Sequence, residues 1–212
     1  CLSMLALHQR VSGDAKGAMH NLRRVLKIGR RHRNDLLMRE AFCGQAVFLQ
    51  RVGKSQQAEK VARAALDLAE RGVSAMQGRE LNVLHMILAA TGRGQEAREC
   101  MRKALELHRR CGNRRGEALA LGNMANVETR DGKLDLAEAH LRAAGAIHEE
   151  TGNRRSLAAV LAKLGVLAFT RVEFERATQY TRRALALARE TGNVDVQKLA
   201  SGNLGIICLH VG

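Results

Sequence analysis

Proline and tryptophan are absent from the 212 residues, and the only other aromatics are four phenylalanines and one tyrosine. Without proline the chain has no helix breaker of that kind and no polyproline segment. So few aromatics leave nothing to build a stacking platform for single-stranded nucleic acid. No run of about 18 apolar residues occurs, so no membrane-crossing helix is expected, and no signal peptide is visible. The five cysteines (Cys1, Cys43, Cys100, Cys111, Cys208) are odd in number and form no CxxC pair. That pattern predicts a reduced, cytoplasmic setting rather than a disulfide framework. The chain begins at Cys1 instead of methionine, which predicts a piece of a longer protein.

Catalytic signatures are missing as well. There is no HExxH, and no Ser-His-Asp or Cys-His arrangement follows from spacing. His140 and His148 share a helical face, but Ala144 stands between them where a ligand would be needed. Gly92-Arg93-Gly94 resembles the opening of a phosphate loop, yet it follows a helix and lacks the GK[ST] ending. The reading is a protein that is not an enzyme and needs no cofactor or metal.

What is present is helix-forming and repetitive. Ala, Leu and Arg are the commonest residues, all strong helix formers, and hydrophobic residues make up 46% of the chain. Cys111-Gly112-Asn113 returns as Thr151-Gly152-Asn153 and as Thr191-Gly192-Asn193, 40 residues apart each time. A small residue recurs in the same frame at Ala18, Ala58, Ala97, Ala137 and Ala177. Seven residues on come Val25, Ala65, Ala104, Ala144 and Ala184, on the same helical face two turns away. Five residues before the first column stand Gly13, Gly53, Gly92 and Gly132, with Val172 in the fifth copy. These glycines mark the break between two helices, where a left-handed residue ends the first. Each unit is therefore a hairpin of two helices that cannot bury its apolar face alone, so neighbours must stack.

Leu164-Gly165, Phe174, Ala177, Ala184-Leu185 and Leu204-Gly205 resemble the signature of the tetratricopeptide repeat. The 40-residue period is similar to the longer form found in kinesin light chain, spindle-orientation adaptors and bacterial regulators of the MalT and antibiotic-regulator type. The resemblance implies an all-α, right-handed solenoid of about five hairpins plus one helix, forming a single domain over 1–212. The units drawn are 1–32, 33–72, 73–112, 113–152 and 153–192, with a lone helix at 193–212. Leu204, Ile206, Ile207, Leu209 and Val211 make that last helix apolar where a polar cap is expected. Either further chain or a partner, including a second copy, would cover it.

The resemblance also implies a groove lined by the first helix of each hairpin. There an asparagine just before the Leu-Gly pair contacts the backbone of a bound peptide. That position holds Gly44, Val83, Asn123, Lys163 and Asn203, with Asn82, Asn126, Arg51 and Arg130 nearby. The candidate groove set is Asn82, Asn123, Asn126, Arg130, Lys163 and Asn203, between small apolar walls (Ala159, Ala162, Val166, Phe169). An asparagine amide both donates and accepts, matching a peptide group. It serves equally as a structural polar residue inside a helix, and both readings stand at this point.

The net charge of +14 is uneven. Residues 1–115 hold 23 basic against 10 acidic residues, and residues 116–212 hold 12 against 11. The densest run is Arg23, Arg24, Lys27, Arg30, Arg31 and Arg33. It suits an acidic protein surface or a phosphate backbone, or is simply a solvated outer helix. Three functions are open: a scaffold binding a protein or peptide, the sensor or oligomerisation segment of a transcription regulator or signalling ATPase, and a binder of an anionic partner such as nucleic acid.

Overall fold

The computed structural model describes residues 15–71 and 77–211. Cys1, Gly13 and the side chain of Val211 lie outside the described residues. The described residues form ten helices: α1 Ala15–Arg31, α2 Asp35–Arg51, α3 Ser55–Glu70, α4 Gln77–Ala90, α5 Gly94–Arg110, α6 Arg114–Arg130, α7 Leu134–Glu150, α8 Arg154–Thr170, α9 Phe174–Glu190 and α10 Val194–Val211. They divide into two compact units, residues 1–111 and 112–212.

Two alternating turns build the hairpins. Within a hairpin the turn residue is left-handed: Gly53, Gly92 and Gly132 have φ of 78°, 79° and 74°. Val172 occupies the same frame at φ 63°. Between hairpins the left-handed residue is followed by an asparagine that caps the next helix. The Asn113 Oδ1 accepts from the Gly116 N–H at 2.9 Å and the Asn153 Oδ1 from the Ser156 N–H at 3.2 Å. Asn34 does the same for Leu37 at 3.0 Å, with Arg33 rather than glycine in the left-handed place, at φ 49°. The Gly-Asn signature thus joins two jobs, ending one helix and starting the next.

In the first unit each helix packs on its sequence neighbours and α2 also touches α4. In the second, α6 to α10 pack in sequence order and α8 also touches α10. The even members, the first helices of their hairpins, therefore lie on one side of each unit. The columns of small residues form the seams: Ala58, Ala97, Ala137 and Ala177 are fully buried, and so are Ala65, Ala104, Ala144 and Ala184. At Gly165 an added Cβ would lie 2.4 Å from the Thr181 Oγ1 and 3.4 Å from the Ala177 carbonyl oxygen. The Leu-Gly pair exists so that α9 can approach α8 this closely. His85 takes that place in the first unit, and its Nδ1 lies 3.1 Å from the Ala97 carbonyl oxygen, the counterpart of Ala177.

Ion pairs tie successive hairpins together. In the first unit Arg93 bonds Glu59 at 2.7 Å. In the second, Arg171 and Arg176 each reach Glu138 at 2.7 Å, and Glu59 and Glu138 share one repeat position. A buried pair, Arg39 and Glu80, joins α2 to α4 at 3.1 Å.

Candidate partner-binding face

The second unit brings several of the sequence candidates to one side. On α6, Leu119, Asn123, Asn126 and Arg130 follow a spacing of four, three and four, which keeps them in one narrow strip. The same strip on α8 holds Ala159, Lys163, Val166 and Thr170, and on α10 it holds Leu199, Asn203, Ile206 and His210. The strip is open between its polar positions, with Leu119, Val166, Leu199 and Ile206 exposed at 52%, 40%, 47% and 47%. Lone exposed apolar residues are ordinary; here they recur at fixed spacing on α6, α8 and α10.

Lys163 sits at the centre. Its Nζ donates to the Asn126 Oδ1 at 2.9 Å, joining α8 to α6. Burial holds this ammonium below its ordinary pKa of 10.5. Among the described residues it forms no ion pair, and an ammonium has three donors. Asn203 is half-buried, and its Nδ2 is buried without an acceptor among the described residues. Asn123 is half-buried and already engaged, and Arg130 is exposed and also engaged. At the end of the strip Phe169 packs on Phe174 (ring centroids 5.8 Å apart) and edge-on against His210 (5.2 Å).

Not every candidate joins this set. Asn82 belongs to the first unit, where its Nδ2 donates to the Gly78 carbonyl of its own helix at 2.7 Å. Of the apolar residues at the chain's end, Ile207 is buried, Leu204 half-buried, and Ile206 and Leu209 exposed. Arg23, Arg24, Lys27, Arg30, Arg31 and Arg33 are all exposed, the first five on α1. Sequence reasoning missed Leu119, Leu199 and Ile206 as face residues. Their signal was present in the 40-residue columns 119/159/199 and 126/166/206, which lie beside the asparagine column.

The sequence profile of the tetratricopeptide repeat matches residues 79–144 and 116–190, together just over half of the chain. The chain belongs to the tetratricopeptide repeat family. No curated protein matches it in sequence. Solved structures show the same fold. BtubC (BKLC) from P. vanneervenii is 22% identical, with a TM-score of 0.78 over 89% of this chain and 81% of that one. A Rap protein, solved in complex with Competence and Sporulation Factor, is 16% identical with a TM-score of 0.83, over 98% of this chain and 61% of that one. A signal transduction ATPase with numerous domains and a tetratricopeptide repeat sensor, from Pyrococcus horikoshii, is 17% identical with a TM-score of 0.72; this chain covers 35% of it. The tetratricopeptide fold is an interaction scaffold, and the strip on α6, α8 and α10 carries exposed apolar residues beside the Asn123, Lys163 and Asn203 column.

Proposed function

We propose that this tetratricopeptide array is a non-catalytic scaffold that binds a protein segment along the exposed strip of α6, α8 and α10. The observation that carries the reading is the Lys163–Asn126 pair bridging α8 and α6 amid exposed leucine, valine and isoleucine. A half-buried ammonium with spare donors and no carboxylate of its own favours a ligand that brings one. Leu119, Val166, Leu199 and Ile206 supply area for apolar side chains. Asn203, half-buried on the strip, has an amide that both donates and accepts and so suits a peptide group. Peptides selected from a random library on the full chain test this. The selected sequences are expected to carry an acidic residue, and K163E is expected to weaken them about tenfold, or about 1.4 kcal/mol. N123A/N203A should weaken them as well. Unchanged affinity in both variants, with the helical spectrum retained, contradicts the reading.

A second reading makes the array the sensor segment of a larger signalling protein. Its support is the likeness to the sensor-bearing ATPase, of which this chain spans about a third. A nucleotide- or DNA-binding domain encoded beside this segment is expected; an isolated reading frame argues against it.

A further inference from the structure

The basic face of α1 lies in the first unit, apart from the strip just described. Arg23, Arg24, Lys27, Arg30 and Arg31 are all exposed, and Arg33 follows in the turn. At 100° per residue the five helical cations fall within an arc of about 120°. The opposite side carries Ala18, Asn21, Leu22 and Val25, buried against the unit. No acidic residue occurs in α1. None of the six cations forms an ion pair among the described residues. Single unpaired arginines occur elsewhere too, and many others, such as Arg39, Arg93, Arg114, Arg171 and Arg183, are paired with a carboxylate; what is particular to α1 is five such cations on one face of a helix that has no acid.

Unpaired like charges at three- and four-residue spacing repel one another and destabilise the helix they share. An external polyanion removes that repulsion. Its chemistry follows from the face itself. A specific protein interface is depleted of charge at its centre and carries apolar or aromatic anchors there. This face is charged throughout, and Ile28 at its edge is the one exposed large apolar residue of the helix. A membrane-surface helix needs an apolar side to insert, and here Leu22 and Val25 are already used in packing. Arg23, Lys27 and Arg31 instead rise in steps of about 6 Å, a ladder that lies along a strand carrying one phosphate per about 3.4 Å. Five of the six cations are arginines, whose forked donors fit phosphate oxygens. We infer that the α1 face, with Arg33, docks the sugar-phosphate backbone of double-stranded nucleic acid without reading its sequence.

The test uses the full chain and a fluorescent 20-base-pair duplex of arbitrary sequence, followed by anisotropy from 50 to 200 mM salt. Binding is expected to fall by about a thousandfold over that range if all six cations contact phosphates. R23Q/K27Q/R31Q, chosen over charge reversal to protect the fold, is expected to lower affinity at least tenfold and flatten the log–log salt slope by about 2–3. A control triple in the second unit, R182Q/R189Q/K198Q, should leave both unchanged. A salt-independent affinity, or an equal loss in the control, overturns the inference. So does displacement of the duplex by polyglutamate or by phosphatidylserine vesicles at equal charge concentration, which would make the partner an acidic polypeptide or a membrane.

Discussion

Val172 shows what a single position in this frame demands. Its φ of 63° lies where a β-branched side chain is strained, and the residue is exposed, so no packing offsets the strain. V172G relieves about 1–3 kcal/mol of strain while raising the entropy of the unfolded chain by up to about 1 kcal/mol. The expected net result is a stabilisation near 1 kcal/mol, read as a rise of about 2–4 °C in melting temperature. The thiols divide as sharply. Burial, helped by the Glu80 carboxylate, pushes Cys43 up to about 12, and burial also raises Cys100. Cys111 and Cys208 are exposed. Brief alkylation of the folded protein followed by peptide mapping should label Cys111 and Cys208 and spare Cys43 and Cys100 until denaturant is added. At this scale the sequence showed which positions are special, through the repeated glycines. It did not show that Lys163 bonds Asn126, because that contact joins residues 37 apart across two helices.

Among the helices, glycine has opposite meanings that only packing distinguishes. Gly165 and Gly122 both lie inside first helices, and alanine at either gains up to about 1 kcal/mol of helix propensity. At Gly165 the new methyl meets Thr181 and the Ala177 backbone, whereas at Gly122 nothing lies within 4 Å. G122A should therefore stabilise by up to about 1 kcal/mol, and G165A should destabilise by about 1–3 kcal/mol. Paired denaturant titrations give the signs directly, and T181A should recover part of the G165A loss. The helices and their order were readable from the small-residue columns and the two turn signatures. The Gly-Asn dipeptide shows in the sequence only as a period, and the role of its asparagine as an N-cap appears once Asn113 and Asn153 are seen accepting from the next helix. The inter-hairpin ion pairs were not readable, since Glu59 and Glu138 find their arginines at different repeat positions.

Across the whole chain, a regular near-neutral half carries the strip of Asn, Lys and apolar residues, and a basic half carries an unpaired cationic helix. Fold class and family were legible because a repeat writes the same instruction several times. The proposed face was only partly so: the asparagine column pointed to α6, α8 and α10, while the exposed leucines beside it depend on how far each helix is covered. The most direct measurement of the central claim is photocrosslinking of a library-selected peptide to full chains carrying a photoreactive residue at one position each. The account predicts crosslinks from positions 119, 159 and 199 on the strip and none from positions 142 and 183 on α7 and α9. Crosslinks from 142 and 183, with none from the strip, would contradict it.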